Sequence, residues 1–124
     1  MYSGRCHCGS IAFETTESPK WLTECNCSIC HRLGSLWAHV QIDTVTFNGG
    51  IKPDAALTSI RYLQGDKSLA VHSCKNCGCT THWENLNPQK SSVMALNFRM
   101  CEREDTRELR IRKFDGADTW SYLD

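Results

Sequence analysis

Three short cysteine runs constrain this chain more than any other feature. They are Cys6-His7-Cys8-Gly9, Cys25-Asn26-Cys27-Ser28-Ile29-Cys30-His31 and Cys74-Lys75-Asn76-Cys77-Gly78-Cys79. A single cysteine packs as a small hydrophobe, but clustered thiols bring sulfur chemistry. The total of 9 is odd, so the thiols cannot all pair as disulfides within one chain. In a reducing compartment, closely spaced cysteines bind metal more often than they bridge.

Zinc prefers four ligands in a tetrahedron with Zn–S bonds of about 2.3 Å, which sets sulfurs on one ion about 3.7–3.8 Å apart. Cys-x-Cys meets that spacing in an extended segment, where residues i and i+2 share a face. Cys-x-x-Cys meets it through a tight turn. Gly78 follows Cys77 and tolerates positive φ after such a turn. One division gives Cys6, Cys8, Cys74 and Cys77 a closed four-thiolate site. Cys25, Cys27 and Cys30 then keep three ligands and an open position, the pattern of a catalytic zinc. Spacing equally allows Cys6 and Cys8 to join Cys27 and Cys30.

The rest of the chain predicts one domain over residues 1–124 that is all-β, with short, mainly antiparallel strands and little helix. Apolar residues are 40% and charged residues 23%, which excludes a disordered chain. Strand patterns run over 10–16, 21–25, 36–42, 44–47, 57–63, 69–73, 80–84, 92–98 and 109–114. Asn48-Gly49-Gly50, Lys52-Pro53-Asp54 and Gly65-Asp66 read as turns or loop. Residues 28–33 form a helical turn ended by Gly34, and 101–108 a short exposed helix or loop. The tail is expected to dock through Trp120 and Leu123.

Lys and Arg number 14, as do Asp and Glu, and no basic stripe is present. Two Zn²⁺ on seven thiolates would leave the protein mildly acidic. Nucleic acid is therefore not an expected partner. No apolar run reaches the roughly 18–20 residues that span a bilayer, and no signal-like segment opens the chain. The expected setting is the cytoplasm, with no membrane partner.

The three-cluster order resembles the glutathione-dependent formaldehyde-activating enzyme family, which includes the centromere protein V type of domain. The residues carrying the likeness are Gly4 to Phe13, Cys25 to Gly34, Cys74 to Gly78 and the ending Phe114-Asp115-Gly116. The resemblance implies a zinc-stabilised β-tent fold with two zinc ions. It implies a structural zinc on the counterparts of Cys6, Cys8, Cys74 and Cys77, and a catalytic-type zinc on those of Cys25, Cys27 and Cys30. It also implies carbon–sulfur lyase chemistry, the addition of a small thiol such as glutathione to a small aldehyde such as formaldehyde. The alternative it carries is a non-catalytic zinc module that binds a partner.

Cys79 departs from the formaldehyde-activating pattern and is a candidate fourth ligand for the second zinc. His82 is another candidate for that position. Cys101 reads as a free thiol. His7 and His31 read as exposed, and His39 and His72 as ordinary strand residues. Trp37 and Trp83 read as core. Arg32 and Arg61 read as solvated cations that are also able to meet the carboxylates of an anionic thiol.

Overall fold

Alternation along the strands decides which side chains meet, and two sheets result. The computed structural model describes residues 1–48, 58–63, 65 and 67–124. In chain order the strands are β1 (Tyr2–Arg5), β2 (Ala12–Thr15), β3 (Leu22–Cys25), β4 (Trp37–Gln41), β5 (Val45–Phe47) and β6 (Ser59–Leu63). Then come β7 (Leu69–Cys74), β8 (Thr80–Asn85), β9 (Val93–Asn97), β10 (Ile111–Asp115) and β11 (Ser121–Tyr122). The smaller sheet has the order β1-β2-β5, and the larger β11-β10-β3-β4-β9-β8-β7-β6. The mostly-β expectation holds, with two short helices, α1 (Ser28–Leu33) and α2 (Arg103–Thr106). Pairing among the described residues is antiparallel except where β10 runs parallel to β3. Of the expected turn and strand residues, Gly49, Gly50, Lys52, Pro53, Asp54, Leu57 and Asp66 lie outside the described residues.

Even and odd positions of the large sheet face different neighbours. On β4, Ala38 and Val40 enter the core with Leu96 of β9 and with Phe13 and Phe47 of the small sheet. Phe13, Phe98, Ile11, Leu22, Leu96 and Val40 are fully buried there. Burial of each such side chain contributes about 1.5–3 kcal/mol. Phe13 stacks on Phe98 at 6.3 Å between ring centroids. Gly4 pairs with Phe13 across β1 and β2, and a Cβ at Gly4 would lie 2.6 Å from the Phe13 ring. Only glycine permits that approach.

Trp37 and His39 of β4 point the other way, with Leu69 and Val71 of β7 and Trp83 of β8, into a cavity on the opposite face. The large sheet thus carries the apolar core on one side and this hollow on the other.

Two expectations need amending. Tyr2–Arg5 forms a strand, although its single large apolar side chain and its glycine signal none. The tail is anchored by Tyr122 rather than by Trp120 and Leu123, which are 73% and 62% exposed. Tyr122 packs edge-on against Trp21 and Phe114 and lies under the Arg112 guanidinium. Its hydroxyl accepts from Trp21 Nε1 and bonds Thr23 Oγ1.

Candidate metal centres and the adjoining cavity

The first sulfur group is built where two hairpins meet. The turn after Cys6 closes by Gly9 N–H donating to the Cys6 carbonyl, with Gly9 at φ 83°. The turn after Cys74 closes by Gly78 N–H donating to the Cys74 carbonyl, with Gly78 at φ 81°. Each turn presents two sulfurs, and together Cys6, Cys8, Cys74 and Cys77 form a set whose sulfurs all lie within 4.8 Å of one another. Cys8 Sγ lies 3.7 Å from Cys6 Sγ and 3.6 Å from Cys74 Sγ. These are the edges of a tetrahedron with bonds of about 2.3 Å. Ile11 N–H donates to Cys6 Sγ at 3.3 Å and Asn76 N–H to Cys74 Sγ at 3.4 Å. Amide donors aimed at sulfur favour thiolate.

The thiols of this group differ in acidity. Burial pushes Cys6 up to about 11. The Ser10 side chain, followed by Asn76, brings Cys8 down to about 5. The backbone N–H of Cys79 brings Cys77 to about 7.

The second group comes from one continuous stretch. Cys25 ends β3, and Cys27 precedes α1 as its N-cap. Cys30 lies inside α1, whose last carbonyls are closed by Gly34 at φ 66°. The sulfurs of Cys25, Cys27 and Cys30 also lie within 4.8 Å of one another, and all three residues are half-buried. Cys27 N–H donates to Cys25 Sγ at 3.4 Å, and Trp37 Nε1–H donates to Cys30 Sγ at 3.3 Å. Burial raises Cys25 and Cys30. Burial works the same way on Cys27, but the Cys30 amide and the neighbouring sulfurs outweigh it and bring Cys27 below the ordinary thiol value. Both donor sets fit a thiophilic ion such as zinc in number, chemistry and spacing.

A distant segment completes the second site. A Cβ at Gly116 would lie 2.7 Å from Cys25 Sγ and 3.2 Å from Cys27 Cβ. Asn26, between two of the thiols, donates to Asp115 Oδ1 at 2.9 Å and accepts from Ala117 N–H at 3.0 Å. Asp115 also accepts from the amide and hydroxyl of Thr119. The side chain of Asn26, followed by Thr119, holds the Asp115 carboxyl below the usual carboxylate range. Trp37, Asn26 and the turn at Asp115 were not foreseen as parts of this site. The Asn between two cysteines and the Phe114-Asp115-Gly116 sequence are the signals available for them.

The other candidates take separate places. Cys79 belongs to neither sulfur set; it packs against the core, and its carbonyl accepts from Cys74 N–H. Among the described residues, no fourth Cys, His, Asp or Glu joins Cys25, Cys27 and Cys30. His82 faces the other side of the sheet, stacked on His72 at 4.4 Å and bonded through Nδ1 to Thr81 Oγ1. With Arg61, His72 and Glu84 it lines a separate cavity of 530 Å³. His72 is buried and bridges Ser59 Oγ to Glu84 Oε1. Arg61 pairs with Glu84. Arg32 donates to the Ser28 carbonyl within α1. His7 and His31 are exposed. Cys101 is buried, and burial, then Asp105 and Glu102, pushes it up to about 12.

Cys25, Cys27 and Cys30 open onto the cavity of the large sheet, 270 Å³ in volume, with Trp37, His39 and Trp83 in its wall. His39 packs edge-on to Trp83 at 5.9 Å. His39 is exposed as a residue, while the protein around its ring desolvates it and lowers its pKa.

No helix of the described residues is long and apolar enough to cross a membrane. None of the curated protein sequences compared with the chain matches it. Among solved structures, a Rhodobacter sphaeroides protein matches with a TM-score of 0.65 at 21% identity, covering 88% of this chain and 98% of its own. That likeness concerns the fold. The family model described as glutathione-dependent formaldehyde-activating enzyme matches residues 1–112, a span holding both sulfur sets. The chain belongs to the glutathione-dependent formaldehyde-activating enzyme family.

Proposed function

We propose that this chain is a zinc-dependent, carbon–sulfur lyase-like enzyme of the cytoplasm that makes and breaks adducts of a glutathione-type thiol with a small aldehyde. Cys6, Cys8, Cys74 and Cys77 hold a structural zinc. Cys25, Cys27 and Cys30 hold the second, catalytic-type ion. The observation carrying this reading is the three-sulfur set on the floor of a cavity, with no fourth donor among the described residues. Cys79 and His82, considered from sequence as closing ligands, lie outside that set.

A zinc ion held by Cys25, Cys27 and Cys30 would supply Lewis acidity and would lower the pKa of a substrate thiol. The protein's own residues supply the remainder. Trp37 N–H fixes Cys30 and tempers its basicity through a hydrogen bond to sulfur. The Asp115–Asn26 link and the close approach of Gly116 fix the stretch that carries Cys25 and Cys27. Apolar side chains such as Trp37, Leu69, Val71 and Trp83 line most of the cavity and lower the polarity around a bound thiolate. Desolvation lowers the pKa of His39 and so favours its neutral form. His39 takes the thiol proton and returns it to the adduct oxygen.

Saturation-transfer NMR on glutathione and formaldehyde tests the reading. The zinc-loaded protein is expected to accelerate formation and breakdown of S-hydroxymethylglutathione, and Cys27→Ser to abolish the acceleration. A zinc-loaded protein with no rate above free zinc would contradict it. His39→Gln is expected to lower kcat by about 10²-fold, as for loss of a general acid–base group.

A further inference from the structure

The three-sulfur site lies between two hollows of opposite character. On one side is the 270 Å³ cavity, whose wall includes Trp37, Trp83, Phe114, Trp120, Leu69 and Val71. On the other is a groove of 290 Å³ lined in part by Arg99, Lys113, His31 and Glu24. Cys25, Cys30 and Phe114 line both.

The size of the first hollow bears on the ligand. A water takes about 30 Å³ in the liquid, and an apolar cavity of about 150 Å³ admits a benzene-sized molecule. A one-carbon aldehyde would leave most of 270 Å³ unfilled and most of the aromatic wall without contact. Trp120 adds a second, independent sign. The residue is 73% exposed and its backbone sits at φ 55°, a conformation that bulky side chains rarely adopt. The strain is held by the Trp120 N–H donating to the Asp115 carbonyl at 2.7 Å, and the ring packs edge-on to Phe114 at 5.1 Å. Strain of this kind concentrates where a side chain must be presented to a ligand.

The groove bears on the other half of the ligand. Arg99 and Lys113 are exposed cations against the single carboxylate of Glu24. Arg99 Nε donates to the Gly34 carbonyl at 3.1 Å, which ties the guanidinium to the end of α1.

We infer that the site takes the adduct of an anionic thiol with an aldehyde bearing an aromatic-sized apolar substituent. The thiol's carboxylates occupy the Arg99–Lys113 groove, the substituent occupies the Trp120 cavity, and the carbon–sulfur bond lies over Cys25, Cys27 and Cys30. This rests on the proposed thiol–aldehyde chemistry and narrows its substrate class. In the forward direction the sulfur lone pair forms the C–S bond, and the carbonyl π pair moves to oxygen. The thiol proton ends on that oxygen, so the hemithioacetal forms with no other reactant.

Calorimetry of the zinc-loaded protein with two inert thioethers, S-benzylglutathione and S-methylglutathione, reads the ligand class without turnover. The benzyl compound is expected to bind about 10-fold tighter or more, from the apolar area it buries. Trp120→Ala is expected to cut benzyl affinity more than methyl affinity, shrinking the ratio to about threefold. Lys113→Glu is expected to weaken both compounds alike, by about fivefold. Equal affinities, or a ratio untouched by Trp120→Ala, would overturn the inference. Should the benzyl preference stand while no adduct turns over, the catalytic reading fails and the ligand class survives. Should S-hydroxymethylglutathione turn over with no benzyl preference, the ligand class fails and the catalytic reading survives.

Discussion

The two sulfur sites use the same donor atom and the same spacing, yet they differ in where their ligands come from. Cys6 and Cys8 belong to the β1–β2 connection of the small sheet, whereas Cys74 ends β7 and Cys77 lies in the β7–β8 connection of the large one. A metal bound by these four sulfurs would staple the two sheets together and leave no ligand position to spare. Cys25, Cys27 and Cys30 belong to one stretch at the end of one strand, and the surrounding protein adds a hydrogen bond, a glycine and a cavity instead of a fourth sulfur. On the proposed reading, the site assembled from two distant hairpins serves folding and the locally assembled one leaves room for a ligand.

The largest expected contrast follows from this difference. Cys6→Ser or Cys77→Ser should abolish the cooperative thermal transition, because structural zinc binding amounts to about 10–16 kcal/mol in small zinc domains and is coupled to folding. Cys27→Ser should keep the β-sheet circular dichroism and most of the melting temperature while losing the second ion. Equal collapse in both cases would erase the distinction between the sites.

Gly116→Ala comes next. Its Cβ would enter within 2.7 Å of Cys25 Sγ, an overpacking that costs about 1–3 kcal/mol. Metal analysis should show the second ion weakened and the first retained. Uniform loss of both ions would show that the two sites are not independent.

Much of this contrast was legible in the residues. Cys-x-Cys and Cys-x-x-Cys are local, and Gly34 and Gly78 mark the positive-φ ends of their turns directly. Which chelates share an ion was not legible from spacing; the family likeness divided them, and the structure gathers the same two sets. The support around Cys25 was hidden for a topological reason. It arrives through the parallel pairing of β3 with β10, which no short turn announces. His82, a candidate from sequence for the fourth position, is sent by alternation along β8 to the far face of the sheet, which single-residue chemistry does not announce. The tail misled as well. Trp120 and Leu123 are the larger apolar residues, but Tyr122 can also satisfy its hydroxyl on Trp21 and Thr23, which makes it the better anchor.

A smaller effect concerns pH. The folded pKa of Asp115 lies below its unfolded value, so its contribution to stability is present above the unfolded value of about 3.9. It is lost as pH falls through the folded value. Asp115→Asn should flatten the acid limb of the stability curve and loosen the second ion before the first. An unchanged acid limb would remove Asp115 from the support of that site.

The smallest effect is at Cys101. Reaction needs thiolate, and burial pushes this thiol up to about 12. Mass spectrometry after brief treatment of the zinc-loaded protein with a thiol reagent should find Cys101 labelled far more slowly than in the same protein unfolded in denaturant.

X-ray absorption at the zinc edge, on protein carrying two ions per chain, tests the division most directly. Four sulfurs on one ion and three on the other predict a mean of about 3.5 sulfurs per ion, with a lighter oxygen or nitrogen donor completing the coordination of the second ion. A mean of four, unchanged by adding glutathione, would mean that both sites are closed and would contradict the open site.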